Sequence, residues 1–172
     1  MARALSVSQP TVRHYFQITH GTFLWRHVPA YTGSATRRTV RHPRGYLRDS
    51  GLLHHLLRIP DLDALLSHPR MGTSWEGTVI EQILRGLSAR GVPCDASFYR
   101  TQGGAEIDLV LAGQFGVIPI EVKYGQSIRE RSLRSVLDFV REHDCPFGLV
   151  VHAGEDVRRL EEKLLGVPVR GL

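Results

Sequence analysis

Three ionisable residues interrupt two apolar runs near the middle of the chain. Asp108 lies within EIDLVLAG, and Glu121 and Lys123 lie within VIPIEVK. Burying a charge in an apolar strand costs several kcal/mol unless the charge is paired or binds a metal. The three residues therefore indicate either a site of chemistry or a structural cluster of charges that neutralise one another.

The two apolar runs predict an antiparallel pair of strands joined by a loop that contains glycine. Successive side chains of a strand point to opposite faces, so the apolar residues of each strand should share one face. These residues are Ile107, Leu109 and Leu111 in the first strand and Ile118, Ile120 and Val122 in the second. Glu106 and Asp108 are then expected on the other face of the first strand, and Glu121 and Lys123 on the other face of the second. In a suitable register Asp108 lies beside Glu121 and Lys123.

Two carboxylates at such a separation repel each other unless a divalent cation lies between them. Oxygen ligands with room for water suit Mg²⁺ or Mn²⁺. A lysine beside such a site can orient a water molecule or stabilise charge that develops on a phosphate. The three residues therefore predict a metal-dependent site if they do chemistry.

A helix predicted from about Ser74 to Arg90 brings a further carboxylate toward the sheet. At about 100° per residue, the apolar positions of this helix form one broad face. They are Trp75, Val79, Ile80, Ile83, Leu84 and Leu87. Glu76 falls near the middle of this face and is expected to point at the sheet, whereas Glu81 is expected to point toward solvent.

The order of these four residues resembles the core of the PD-(D/E)XK nucleases, which has a helix glutamate, an aspartate entering a strand and E-x-K on the next strand. The matching residues are Glu76, Asp108, Glu121 and Lys123. The resemblance implies a restriction-endonuclease-like α/β fold with a mixed sheet flanked by helices. It also implies that Asp108 and Glu121 hold Mg²⁺ or Mn²⁺, that Glu76 completes the metal shell through water, and that Lys123 serves the attacking water in phosphodiester hydrolysis.

Longer segments resemble the C-terminal half of prokaryotic AAA-type ATPases, which join a P-loop domain, a winged-helix segment and a C-terminal domain related to these nucleases. The segments are VSQPTVRHYF, YLRDSGLLHHLLRI, GTSWEGTVIEQIL, FYRTQGGAEIDLVL and IPIEVKYG. The sequence contains no G-x-x-x-x-G-K-[ST] motif, so we assign no ATP site to it. The resemblance implies an AAA-type ATPase as a partner, and the chain is expected to be a truncated gene product, a split subunit or an excised fragment.

We divide the chain into a partial winged-helix-like segment with its connecting region, residues 1–70, and a nuclease-like domain, residues 71–172. In the first part, Ser8 and Pro10 fit the start of a helix over residues 8–19. Short strands around a polar loop are expected in residues 22–47, and a short capped helix in residues 49–59.

The second part is predicted to have the order α-β-β-β-α-β-α. Ser127 and Glu130 fit a capping box at the start of the second helix, whose apolar positions are Leu133, Val136, Leu137 and Val140. This helix should connect two parallel strands, one ending at Lys123 and the other within residues 146–153. A last helix within EDVRRLEEKLLG is expected to end at Gly166.

The charge of the chain favours a polyanionic partner. The net charge is +5 and the pI about 9.7, which favours nucleic acid as a partner. We expect this nucleic acid to be DNA rather than RNA. Arg100 is a candidate phosphate contact, and Gln9, Thr11 and Arg13 are presented near the start of the first helix as a recognition helix would present them.

Membrane and secretion signals are missing from the sequence. No apolar stretch approaches the ~20 residues of a membrane helix, and the first ten residues lack the apolar core of a signal peptide. Cys94 and Cys145 have no metal-type spacing. The expected location is therefore the cytoplasm, with both thiols free.

A second interpretation of Asp108, Glu121 and Lys123 is structural. In that case the lysine neutralises the carboxylates in a fold that no longer cleaves nucleic acid. The domain would then be a non-catalytic module that contacts proteins or nucleic acid, or regulates a partner ATPase.

Overall fold

Two β-sheets and five α-helices form the part of the chain that the computed structural model describes, residues 3–33, 42–125 and 130–172. The fold is a mixed α/β architecture with a small N-terminal piece, as predicted. None of the described helices is long and apolar enough to cross a lipid bilayer.

The N-terminal piece contains one longer helix, a two-stranded antiparallel sheet and two short helices. They are α1 (Gln9–Gly21), β1 (Trp25–Val28), β2 (Arg44–Leu47), α2 (Ser50–Leu56) and α3 (Leu62–Ser67). Each helix follows a side-chain cap, because Ser8, Asp49 and Asp61 each accept a hydrogen bond from the backbone N–H three residues later. The predicted start of α1 and the short helix after Asp49 are confirmed.

The rest of the chain builds a six-stranded mixed sheet with a helix on each side. Its elements are α4 (Met71–Ala89), β3 (Cys94–Arg100), β4 (Glu106–Gly113), β5 (Gly116–Lys123), α5 (Glu130–Glu142), β6 (Gly148–His152), β7 (Arg158–Glu161) and β8 (Leu164–Pro168). The strand order is β3-β4-β5-β6-β8-β7. The pairs β5–β6 and β6–β8 are parallel, and the other neighbours are antiparallel.

The crossover through α5 joins two parallel strands, as predicted. Glu121 and Lys123 near the end of β5 lie opposite Val150 and His152 of β6. The predicted capping residue Ser127 lies outside the described residues.

The C-terminal residues form two strands, so the predicted closing helix is wrong. Leu164, Gly166 and Pro168 are buried at alternate positions of β8, and this strand pairs in parallel with β6. Gly166, which we expected to end the helix, lies in β8 instead. A short apolar run cannot be assigned to helix or strand from its periodicity alone, and here pairing with β6 determines the conformation.

Strand β4 carries a β-bulge at the candidate site. The register of β4 with β3 shifts so that Asp108 and Leu109 both lie opposite Phe98. The extra residue reverses the alternation of the strand. Ile107 therefore packs into the core on one side of the sheet, and Leu109 and Leu111 pack on the other. The prediction that these three residues share a face is wrong for Ile107.

Two apolar cores cover the two faces of the sheet. The first lies between the sheet, α4 and the β1–β2 sheet, and its fully buried side chains include Val28, Val79, Ile80 and Leu109. The second lies between the sheet and α5, and includes Ile107, Val110, Val136 and Phe139.

The N-terminal piece is joined to the main sheet at the edge strand β3. The backbone N–H of Tyr31 donates to the carbonyl of Phe98 at 2.7 Å, and the N–H of Phe98 donates to the carbonyl of Pro29 at 2.9 Å. Ala30 forms a parallel bridge with Phe98. The connection after β1 thus extends the sheet beside the bulge of β4.

The β1–β2 sheet packs on α4 through an aromatic ring. Tyr46 of β2 is buried in the first core, and it lies over Gly77 of α4. A Cβ atom at Gly77 would lie 2.8 Å from Cδ1 of Tyr46 and 3.2 Å from its Cβ. Glycine at position 77 therefore permits the close approach of β2 to the helix.

We expect Gly77→Ala to lower the free energy of unfolding by about 1–3 kcal/mol, because the added methyl group overpacks this contact. The effect should exceed the roughly 0.5–1 kcal/mol by which alanine favours a helix over glycine. Urea denaturation measures the difference. Gly72→Ala on the same helix is the matched control, since nothing lies within 4 Å of a Cβ there, and it should be neutral or stabilising. Equal effects at the two positions would contradict the packing role of Gly77.

Candidate functional site

Three elements position the four predicted site residues. Glu76 lies in the second turn of α4, Asp108 at the bulge of β4, and Glu121 and Lys123 near the end of β5. The side chain of Glu76 is directed toward β2, where its partners are Tyr46 and Arg44.

The two strand carboxylates are almost fully buried. Asp108 is 7% exposed and Glu121 is 5% exposed. Asp108 Oδ2 accepts a hydrogen bond of 2.9 Å from the backbone N–H of Val122, which holds the aspartate against β5. Nζ of Lys123 lies 2.6 Å from Glu121 Oε1. Glu121 Oε2 is buried with no hydrogen-bond partner among the described residues.

Arg44 of β2 inserts a guanidinium group among the carboxylates. Its Nη1 lies 3.1 Å from Glu76 Oε1 and 3.4 Å from Asp108 Oδ1, and its Nη2 forms an ion pair with Glu106. The guanidinium carbon lies 4.9 Å above the ring centroid of Phe98, a cation–π arrangement. Arg44 therefore connects the N-terminal piece to the candidate site.

The pKa values of two carboxyl groups are raised by their surroundings. Burial, followed by the negative charge of Asp108, raises the pKa of Glu76 to about 7. The hydrogen bond from Tyr46 and the positive charges of Arg44 and Lys123 lower this pKa, but by less. Burial and Asp108 also raise the pKa of Glu121 to about 7, against Lys123. Burial raises the pKa of the Tyr46 phenol, so this hydroxyl remains a donor to Glu76 Oε1. The neighbouring cations therefore offset only part of the negative charge of the site.

The chemistry of these oxygens can be compared with the needs of a divalent cation. No three described His, Cys, Asp or Glu side chains are placed to hold a metal ion together. Magnesium, however, commonly binds through one or two carboxylates with water and substrate phosphates completing its shell. The unpartnered Oε2 of Glu121, beside the charge of Asp108, fits a two-carboxylate site of that kind.

The predicted nucleic-acid contacts lie apart from one another. Arg100 is half exposed, and its Nε lies 3.8 Å from Glu106 Oε2. At the start of α1, Gln9 is exposed and the hydroxyl of Thr11 is hydrogen-bonded to Ser8 at 2.8 Å. Arg13 lines a cavity of about 450 Å³ between α1 and the β1–β2 sheet. The other lining residues are Phe16, Gln17, His20, Trp25, His27, Pro43, Arg44 and Gly45. Of the predicted contacts, therefore, Arg13 lines a cavity that is also lined by Arg44 of the candidate site. Arg100 is linked to the same site through its ion pair with Glu106, which also pairs with Arg44.

Glu81 is buried, so the prediction that it points toward solvent is wrong. It is 4% exposed and forms ion pairs with Arg26, Arg48 and Arg85. The helical pattern of α4 indicated only the face that packs on the main sheet. The β1–β2 sheet covers a second face of the helix, and there Glu81 contacts arginine side chains instead of water.

Arg44 and Tyr46 were not among the predicted site residues. They belong to HPRGYL, a segment far in the chain from β4 and β5. The signal that could have found them is the alternation of Arg44, Tyr46 and Arg48, which places two arginines and a tyrosine on one face of a short strand.

Comparisons with known proteins identify families without an assigned function. Residues 71–171 match the model of a domain of unknown function, DUF4143, and residues 1–63 match a second domain of unknown function, DUF8612. Two relatives are each 34% identical to the chain: the uncharacterized proteins Mb2031c of Mycobacterium bovis and Rv2008c of Mycobacterium tuberculosis. Each alignment covers 98% of the chain and 37% of the relative, so the chain spans little more than a third of their length. No solved structure matches the chain.

The raised pKa of Glu121 predicts a stability that falls as pH rises. Its ordinary value is 4.5 and its folded value about 7. Below pH 4.5 the carboxyl group of Glu121 is protonated in both the folded and the unfolded state. Between pH 4.5 and about pH 7 the folded state holds this proton more tightly than the unfolded state does. The stability that the protonated group contributes is therefore lost by about pH 7. Glu121→Gln removes the titration. Relative to the parent, this variant should therefore gain stability from pH 4.5 to pH 7.5.

Chemical denaturation of parent and variant across this pH range measures the difference. The exposed Glu161→Gln in β7 is the control and should show no such gain. A constant difference between Glu121→Gln and parent would contradict the raised pKa.

Proposed function

The chain belongs to the family of the domain of unknown function DUF4143, which occurs in the C-terminal regions of AAA-type ATPases, and we infer that it is a nuclease-like module. We propose that it hydrolyses phosphodiester bonds of nucleic acid with the help of Mg²⁺ or Mn²⁺. The observation that carries this proposal is the buried, unpartnered Oε2 of Glu121 beside Asp108, with Lys123 at 2.6 Å from the other oxygen of Glu121.

The carboxylates are the proposed metal ligands. Asp108 and Glu121 are both buried, and the charge of Asp108 contributes to the raised pKa of Glu121. Leaving a buried carboxylate oxygen without a partner is costly. A divalent cation removes that cost, because it offers a positive charge to hard oxygen ligands. Glu76 is proposed to complete the shell through water.

Lys123 is proposed to act on the reacting groups. The ion pair with Glu121 holds the ammonium group of Lys123 at one position, and the lysine side chain is 29% exposed. It can therefore reach a water molecule or a phosphate that approaches from solvent. From there its charge can orient the attacking water and stabilise the negative charge that develops on the phosphate. When bound, the metal supplies further positive charge to the phosphate.

Arg44 and the charge of the chain also support a polyanionic substrate. Arg44 lines both the cavity beside α1 and the carboxylate site, and the net charge is +5. A metal at Asp108 competes with Arg44 for the same oxygen, which predicts weak metal binding. An arginine released from that oxygen could bind a phosphate.

A non-catalytic module is the second candidate, and Arg44 is the observation that favours it. Its guanidinium group already pairs with three carboxylates, those of Glu76, Glu106 and Asp108. In this alternative the arginine and Lys123 neutralise the cluster permanently. The domain would then contact nucleic acid or protein and regulate a partner ATPase.

Metal binding can be tested by thermal unfolding. Mn²⁺ should raise the melting temperature of the parent, because a ligand that binds only the folded state stabilises it. Asp108→Asn should abolish this rise. Arg44→Gln should reach the same rise at a lower Mn²⁺ concentration, because a competing cation is gone. A response of Asp108→Asn equal to that of the parent would place any metal elsewhere.

Catalysis can be tested at Lys123. In the nuclease proposal, Lys123→Ala should reduce Mn²⁺-dependent cleavage by orders of magnitude, roughly 10²–10³-fold, while the Mn²⁺-induced rise in melting temperature survives because lysine is not a ligand. Lys163→Ala is the matched control, since the side chain of Lys163 hydrogen-bonds, among the described residues, only to the carbonyl of Cys145, at 3.4 Å. Single-stranded and double-stranded DNA and RNA should all be assayed.

The same experiment identifies the structural alternative. If the parent cleaves none of these substrates and Lys123→Ala loses about 1–3 kcal/mol of stability, the cluster is structural and the enzyme proposal is wrong.

A further inference from the structure

Three guanidinium groups converge on one buried carboxylate, Glu81, which is not one of the candidate active-site residues. Glu81 Oε1 accepts hydrogen bonds from Arg48 Nε at 2.6 Å and Arg85 Nε at 2.9 Å. Arg26 binds both oxygens of Glu81, through Nε at 2.8 Å and Nη2 at 3.1 Å. Burial alone would raise the pKa of Glu81, but the hydrogen bonds from Arg26 and Arg48 hold it below its ordinary value, so this carboxylate is ionised.

The arginines use different parts of their guanidinium groups in these bonds. Arg26 engages two nitrogens in a fork with the carboxylate. Arg48 and Arg85 engage only Nε, so their terminal amino groups form no hydrogen bond with other described residues. Glu81 therefore fixes two guanidinium groups in place while leaving four N–H donors available on each, as the five-donor inventory of arginine implies.

These two arginines line a cleft of about 340 Å³. The cleft is also lined by Asp49, Ser50, Thr78, Glu81 and Gln82. The carboxylate of Asp49 caps α2 by accepting a hydrogen bond from the Leu52 N–H at 2.7 Å. The lining itself carries two guanidinium groups and two carboxylates. Arg26 is not part of the lining, but it pairs with Glu81 and so leaves the group of five charges with one net positive charge.

We propose that this cleft binds a phosphate group through the terminal amino groups of Arg48 and Arg85. Guanidinium groups bind phosphate oxygens through paired N–H donors. A single net positive charge matches the single negative charge of a phosphodiester. The ligand is thus a backbone phosphate of a nucleic-acid strand, and its identification as nucleic acid rests on the proposed function.

The cleft lies beside the candidate active site on the same two elements. Glu76 and Glu81 are five residues apart on α4, which corresponds to about 7.5 Å along the helix axis. Arg44 of β2 pairs with Glu76, and Arg48, which follows β2 directly, pairs with Glu81. A strand held at the cleft can therefore continue toward Lys123 and the carboxylates.

Fluorescence anisotropy of a labelled single-stranded oligonucleotide, in EDTA, tests this site without cleavage. We expect Arg85→Gln to weaken binding about three- to tenfold and to reduce the slope of log affinity against log salt by about 1. Arg85 is 61% exposed, so its loss should leave the fold intact, which the melting temperature checks. Arg90→Gln is the matched control, because Arg90 lies at the same helix end and its side chain hydrogen-bonds, among the described residues, only to the carbonyl of Gly86.

Inorganic phosphate provides a second arm. If a phosphate raises the melting temperature of the parent and of Arg90→Gln but not of Arg85→Gln, while no oligonucleotide binds, the cleft is a site for free phosphate. Loss of oligonucleotide binding specific to Arg85→Gln supports the backbone-phosphate ligand. Equal binding by Arg85→Gln and Arg90→Gln, or binding of neither ligand by the parent, would overturn the proposal.

The outcome is separable from that of the proposed function. Asp108→Asn should abolish cleavage and leave binding at the cleft unchanged. A parent that cleaves nothing but loses oligonucleotide binding through Arg85→Gln would refute the nuclease activity and retain the phosphate site.

Discussion

The contact of Tyr46 with Gly77 is the constraint on which the arrangement of charged side chains depends. Because the helix has no side chain at this position, β2 approaches α4 closely enough for the phenol to reach Glu76. The residues two positions before and after the tyrosine are then also directed at the helix. Arg44 meets one glutamate and Arg48 meets the other. A single close approach thus aligns both charge clusters along one helix.

The energetics of the candidate active site follow from like charges held out of water. Burial and mutual repulsion raise the pKa values of Glu76 and Glu121, and cations on either side offset part of this cost. Arg44 contributes from the N-terminal piece and Lys123 from β5. The catalytic and structural interpretations share this electrostatic problem. They differ in whether a divalent cation or only the protein's own side chains balances the carboxylates.

The sequence was informative where a residue type conflicted with its local pattern. Asp108 and Glu121 stood out because charges rarely occur within buried strands, and Glu76 because it lay on an apolar helix face. Arg44 carried no such signal, since an arginine in a polar segment is ordinary and its partners are distant in the chain. The prediction for Glu81 is wrong for a related reason. A helical wheel shows which residues share a face of the helix, but not which other elements cover each face. The bulge at Asp108 depends on pairing across strands, which local alternation does not encode.

The bridge between Ala30 and Phe98 has a consequence for how the molecule behaves in a crowded solution. An open strand at the rim of a sheet is a template on which another chain can add. Part of the β3 rim is already taken by the short segment around Ala30, where Pro29 has no N–H to offer. At the opposite rim, β7 carries three exposed charged residues, Arg158, Arg159 and Glu161. Both rims of the described sheet therefore carry features that disfavour the addition of a strand from another chain.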